Sequence, residues 1–174
     1  RVGDYVCKHH IVEEIHMTGS DKTYEAIVFG TGPDGEEQKQ NRTPVNTRPF
    51  TGELGNVTPV IVVPGPWTQK DIDEYGKHIT TWLVANAGFV CCAPRVIIQH
   101  DDWPQKKALI DSVKMHLRNH PTRKAYYPGA DQIHQDFLQA HPEAILLGDT
   151  PEGHLPWTFI PDLDIQNVDD ICLK

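Results

Sequence analysis

An α/β fold with strands alternating with helices is what this 174-residue chain predicts, and three observations carry the prediction. Residues 59–63 (PVIVV) form an unbroken apolar run closed by Pro64, Gly65 and Pro66, the pattern of a strand buried on both faces of a parallel sheet. Residues 68–86 follow at once and set Ile72, Tyr75, Ile79, Trp82, Leu83 and Asn86 at three- and four-residue steps, the period of a helix face. The alternation then continues to residue 160, and alternating elements of this kind assemble as a layered sheet with flanking helices.

Taken in order, residues 11–20 (IVEEIHMTGS) mix branched apolar and polar side chains and end at Gly19 and Ser20, which predicts a strand running into a helix N-terminus. Residues 21–29 then form that helix. From 30 to 51 the chain is rich in Gly, Pro, Asn, Thr and charge without a helical or strand period, so it reads as a long surface loop. Thr68 and Asp71 make a capping pair for the helix over 68–86, and Gly88 stops it, delivering the chain at Cys91. A strand is predicted at 96–99. Asp102, Trp103 and Pro104 open a helix over 105–118 with Leu109, Val113 and Leu117 on one face. A helix over 131–140 uses Ile133 and Phe137, and short strands follow at 144–147 and 157–160. Trp67, Trp82, Trp103 and Trp157 read as packing anchors.

Composition narrows the function. A net charge of -8 with no gathered Lys and Arg argues against nucleic acid as a partner and points to a small molecule. No apolar run approaches the roughly 18 residues of a membrane span, so no membrane is expected. Four cysteines, two of them adjacent, do not form the dense framework of a small secreted domain, and a reducing, cytoplasmic setting fits them better. The chain opens on Arg1 rather than Met, which suggests a fragment. It contains no internal repeat and no G-x-G-x-x-G dinucleotide fingerprint.

Two residues carry candidate chemistry. Cys91 follows a helix and the small-residue turn Asn86, Ala87 and Gly88, a place where a thiolate can be presented to a substrate, although paired cysteines are also ordinary small buried residues. Glu53 lies between two glycines at a bend ahead of the 59–63 strand; alone it reads as a solvated loop carboxylate, but beside a reactive thiol it could activate water to release an acyl-enzyme. Cys7, His9, His10 and His16 lack the paired spacing of a zinc site, so no metal is assigned. No G-x-S-x-G elbow is present for a serine hydrolase.

In three ordered blocks the sequence resembles the aldehyde dehydrogenase superfamily. Met17 to Ser20 (MTGS) is similar to the family's F-T-G-S, Glu53 to Pro59 (ELGNVTP) to its E-L-G-G-K-x-P, and Asn86 to Arg95 (NAGFVCCAPR) to its N-x-G-Q-x-C-x-A. Glu53 and Cys91 stand 91 − 53 = 38 positions apart, close to the family's spacing. The resemblance covers about half the chain; beyond residue 100 only the order of elements matches.

The resemblance implies an α/β catalytic domain joined to an incomplete cofactor domain. Residues 1–52 would be the end of a nucleotide-binding domain with its connecting loop, and 53–174 the catalytic domain. Cys91 would be the nucleophile, with its amide in the oxyanion hole, and Glu53 the base for the deacylating water. Gly19 and Ser20 would meet the cofactor pyrophosphate at a helix N-terminus, and Leu54 the nicotinamide of NAD or NADP. The implied reaction is oxidation of an aldehyde to a carboxylic acid through a thiohemiacetal and an acyl-enzyme, within a larger parent that is a homo-oligomer; retention of Glu53 favours hydrolytic release over transfer to coenzyme A. The alternative is an inactive or truncated member that only binds a cofactor or partner. Its support is Phe89 in place of the usual Gln and the lack of any counterpart to the upstream Asn and Lys and the downstream E-x-F-G-P; further departures, Asn56 for a Gly, Val57 for a Lys and Pro94 shortening the stretch after the thiol, would reshape the pocket.

Overall fold

The computed structural model describes residues 2–173. Its backbone is mixed α/β, as the sequence predicts, with six strands paired in three small two-stranded sheets. Two compact units divide the chain between Gly55 and Asn56.

In the first unit, helix α1 (Val2–Lys8) precedes strand β1 (Ile15–Gly19), helices α2 (Asp21–Val28) and α3 (Gly32–Asn41), and strand β2 (Phe50–Leu54). Strands β1 and β2 run parallel, from Ile15 opposite Phe50 to Gly19 opposite Leu54. Ser20 caps α2, its side chain accepting the Thr23 N–H at 3.1 Å. Two sequence expectations fail here. The strand begins at Ile15 rather than residue 11, and the stretch read as a loop over 30–51 contains a ten-residue helix and the start of β2. Helix α3 has no apolar face for periodicity to reveal, its one buried residue being Gly35. What fixes it is local: Pro33 stands at its first turn, Gly35 is packed so closely on the Gly30 backbone that a Cβ would come within 2.6 Å, and Lys39 pairs with Glu25 of α2 at 2.7 Å. Arg48 then ties the unit together, donating from Nε to Val12 O at 2.7 Å and from Nη2 to the carbonyls of Lys8 and His9 at 3.2 Å.

The second unit holds strand β3 (Pro59–Ile61), helix α4 (Gln69–Val84), strand β4 (Val96–Ile98), helices α5 (Lys106–Asn119) and α6 (Ala130–Ala140), and the strands β5 (Ile145–Leu147) and β6 (Trp157–Phe159). Strands β3 and β4 are parallel and β5 and β6 antiparallel. The expected capping pair is present: Thr68 accepts the Asp71 N–H while the Asp71 carboxylate accepts from Thr68 N at 2.8 Å. Leu109, Val113 and Leu117 of α5 are buried as their spacing predicts, against Ile72 and Ile79 of α4 and Val62, Leu147 and Trp157.

The helix stripes differ in detail. The buried face of α4 is Ile72, Gly76, Ile79, Thr80 and Val84, while Tyr75 and Trp82 are exposed. Gly76 belongs to the stripe because α5 crosses there: a Cβ on Gly76 would sit 2.2 Å from Ser112 Oγ. Thr80 can be buried because its hydroxyl donates to Gly76 O at 2.9 Å. On α6 Ile133 is exposed and His134 takes the inner side, bonded to Thr158 Oγ1 at 3.0 Å. Residues 59–63 are not buried on both faces as the apolar run suggested. Val62 is buried and Val60 packs on the core, whereas Ile61 and Val63 point outward, because helices cover one face of this two-stranded sheet. Trp103 and Trp157 are buried anchors; Trp82 is not.

Candidate active site

The first unit collects four of the five candidate residues. In a parallel pair, side chains and loops at the carboxyl ends of the strands converge on one edge. Here the register sets Thr18 opposite Glu53 and Gly19 opposite Leu54 at that edge. Glu53 is therefore in strand β2, not in a loop as its flanking glycines suggested: Gly52 is held in the strand, with room for a Cβ only 3.3 Å from the Tyr24 ring. Its carboxylate is exposed and accepts from Thr18 Oγ1 at 3.5 Å, a partner the sequence did not single out. Beyond Gly19 the chain passes through Ser20 directly into α2, where the amides of a helix's first turn lie at the positive end of its dipole. Strand end, capped helix start and carboxylate thus share one edge.

The second unit carries Cys91. Helix α4 gives way at Val84 to the short 3-10 segment Ala85–Gly88, in which Asn86 (φ 50°), Ala87 (φ 58°) and Gly88 (φ 79°) are all left-handed. Glycine adopts this conformation freely and Asn tolerates it, but Ala87 carries a steric cost of about 1 kcal/mol. Asn86 Nδ2 donates to Phe89 O at 3.3 Å and closes the reversal. Next, Cys91 and Cys92 occupy the centre of a turn closed by the Ala93 N–H on Val90 O at 3.0 Å. Both thiols are exposed and free, which removes the reading of the pair as buried packing residues. Ala93 and Pro94 behind them are buried.

The turn is anchored by the segment before β3. Thr58 Oγ1 donates to the Cys91 carbonyl at 3.3 Å, and Arg95 N–H is shared between Val57 O and Thr58 O at 3.2 Å each. Thr58 is itself left-handed (φ 43°), so three of the five non-glycine residues with positive φ among the described ones bound the Cys91 turn. Strained backbone of this kind persists where surrounding contacts over-determine it, and it concentrates at functional sites. Phe89, where the resembled motif has Gln, stacks on Tyr127 at 5.4 Å and meets Tyr126 edge-on at 5.1 Å, so its ring is occupied in packing. Glu53 and Cys91 belong to different units, and the geometry of each stands on its own unit.

The amino-terminal histidines have local partners. His9 and His10 stack on each other at 4.5 Å and His16 Nδ1 bonds Thr51 Oγ1 at 2.8 Å. None of the described helices is long and apolar enough to cross a membrane.

No known family model matches the sequence, and no curated protein matches it at a significant level. Solved structures do match the fold. The NADP-dependent glyceraldehyde-3-phosphate dehydrogenase from Bacillus halodurans C-125, complexed with NADP, superposes with a TM-score of 0.66 and 20% identity, over 89% of this chain and 31% of that one. The gamma-glutamyl-gamma-aminobutyraldehyde dehydrogenase from Burkholderia cenocepacia J2315 gives 0.59 and 20%, over 83% and 28%. The aldehyde dehydrogenase KauB from Pseudomonas aeruginosa gives 0.59 and 17%, over 84% and 29%. The chain therefore has the fold of a segment of aldehyde dehydrogenases and spans about a third of the length of the structures it matches.

Proposed function

We propose that this chain is the thiol-bearing segment of an NAD(P)-dependent aldehyde dehydrogenase and acts within a longer protein. The observation that carries the reading is the strand-end edge of the first unit, where parallel pairing gathers Gly19, Ser20, Glu53 and Leu54, two separate motif blocks, around a capped helix start. The strained, anchored turn that presents Cys91 supports it independently.

In this reading Cys91, as thiolate, attacks the aldehyde carbonyl carbon and forms a thiohemiacetal, with the Cys91 amide stabilising the oxyanion. NAD or NADP bound at these residues would supply the hydride acceptor for oxidation of that carbon. Gly19 and Ser20 at the α2 N-terminus would hold the pyrophosphate, and the Leu54 backbone, opposite Gly19 in the register, would hold the nicotinamide end. Glu53 then takes a proton from water as the water attacks the resulting thioester, the carbon–sulfur bond breaks, and Cys91 leaves as thiolate with the carboxylic acid as product. Thr18 orients the Glu53 carboxylate. The nucleotide-binding and catalytic roles of the two segments, the aldehyde substrate, assembly as a homo-oligomer and a cytoplasmic setting belong to the same proposal.

The test is competitive alkylation of the native chain with iodoacetamide at neutral pH, mapped by mass spectrometry. Cys91 is expected to react faster than Cys7, Cys92 and Cys172, since reactivity follows thiolate fraction and access. Because Cys92 is exposed as well, exposure alone does not decide the result. Labelling of Cys92 first, with Cys91 protected, would reassign the nucleophile.

A further inference from the structure

Outside the candidate active site, three side chains of different chemistry converge at the carboxyl end of α6. His141 caps that helix through its N–H on Phe137 O at 2.8 Å, and its ring is buried. Its Nε2 lies 3.1 Å from Asp170 Oδ1 and 3.5 Å from Cys172 Sγ, and one donor atom from each of the three residues falls within 4.8 Å of the others. The other ring nitrogen, Nδ1, lies 2.9 Å from Glu143 Oε1. The 3-10 turn Ile171–Leu173 packs on α6, and the Cys172 N–H donates to Asp170 Oδ1 at 2.8 Å, so the backbone fixes the carboxylate and the thiol relative to each other.

We propose that His141 Nε2, the Asp170 carboxylate and the Cys172 thiolate form a zinc site with three protein donors, in which Glu143 orients the imidazole. Tetrahedral zinc with nitrogen and oxygen at about 2.0 Å and sulfur at about 2.3 Å requires donor separations of about 3.3 Å for N to O and about 3.5 Å for N to S. The separations from His141 Nε2, 3.1 and 3.5 Å, are already close to those edges. The donor set selects the ion: imidazole and thiolate suit zinc, whereas magnesium and calcium take oxygen. Zinc-bound histidine characteristically gives its second N–H to a carboxylate, which fixes the tautomer and the ring plane, and Glu143 stands in that position.

Charge balance agrees. Binding displaces two protons to solvent, one from the Cys172 thiol and one from His141 Nε2, which otherwise donates to Asp170, after which one carboxylate and one thiolate neutralise the dication in a site where the His141 and Asp170 side chains are each only 10% exposed. Three donors leave the fourth tetrahedral position to water or a small ligand.

A catalytic thiol is the competing use of a Cys, a His and a carboxylate. Against it, both ring nitrogens of His141 are already engaged by carboxylates, Nδ1 by Glu143 at 2.9 Å and Nε2 by Asp170 at 3.1 Å, so neither is free to take the thiol proton. The sequence hid the site because His141 is 29 residues from Asp170 and 31 from Cys172, so no short motif forms.

The test is cobalt(II) titration of the chelator-treated chain, read by the thiolate-to-cobalt charge-transfer absorbance in the near ultraviolet, followed by displacement with zinc. One equivalent of cobalt is expected to give the band, and one of zinc to abolish it. In a chain carrying Cys7→Ser, Cys91→Ser and Cys92→Ser together, where Cys172 is the remaining thiol, the band is expected to persist. Cys172→Ser is expected to remove it, and Glu143→Gln to weaken metal affinity by roughly 10- to 100-fold. The triple variant leaves every proposed donor in place, so it keeps the test decisive if Cys172→Ser fails to fold. A band that survives Cys172→Ser, or is missing from the triple variant, would overturn the site. Rapid alkylation of Cys172 unaffected by saturating zinc would overturn it in favour of a free nucleophile.

Discussion

The two units are held together by different physics. Around α4 and α5 the second unit buries Ile72, Ile79, Leu109, Val113 and Leu117, so its stability rests on apolar area removed from water. In the first unit Val28 is the one buried apolar side chain among the described residues, and order comes from the parallel β1–β2 ladder and from Arg48, whose guanidinium gathers the carbonyls of three residues. Hydrophobic periodicity therefore reports one kind of unit and is nearly blind to the other.

Substitutions in each unit break the comparison in unequal ways. Leu109→Ala is expected to have the largest effect, a loss of about 2–5 kcal/mol, since a fully enclosed leucine leaves a cavity that its neighbours cannot fill. Denaturant unfolding followed by Trp103 and Trp157 fluorescence reads it directly. A loss below about 1 kcal/mol would mean that the second unit does not depend on this core.

Arg48→Ala comes next. It removes charged hydrogen bonds to Val12, Lys8 and His9, each worth about 1.5–3 kcal/mol where water cannot replace it, but the guanidinium is only half-buried, so the net expectation is nearer about 1–2 kcal/mol. Amide exchange is expected to accelerate in β1 and β2 while the amides of α4 and α5 keep their protection. Equal acceleration in both units would erase the distinction drawn between them.

How much was legible follows from the same contrast. The helix over Lys106–Asn119 was readable almost to the residue because Leu109, Val113 and Leu117 recur at four-residue steps and all three are buried. The capping pair Thr68 and Asp71 was readable because its mechanism is local. Helix α3 was not, since a helix whose one buried residue is a glycine has no apolar stripe. The outward turn of Ile61 and Val63 was not, because an apolar run says nothing about which face finds a cover.

The candidate residues divide in the same manner. Motif similarity pointed to Gly19, Ser20, Glu53, Leu54 and Cys91, yet the sequence placed Glu53 in a loop, where the structure has a strand residue whose partner, Thr18, is opposite it in the register. The anchor of the Cys91 turn, Thr58, was invisible for the opposite reason: its role lies in a side chain bonded to a carbonyl 33 residues away.

The proposal that Glu53 serves the thioester formed on Cys91 is tested most directly by rapid mixing of the proposed longer parent protein carrying Glu53→Gln. The amide keeps the shape of the carboxylate but cannot take a proton, so deacylation should slow while the steps before it do not. The account predicts a burst of reduced nicotinamide at the wild-type rate, followed by turnover slowed by about 10²- to 10⁴-fold, the usual worth of a positioned base. A wild-type burst followed by wild-type turnover would contradict it and remove Glu53 from the chemistry.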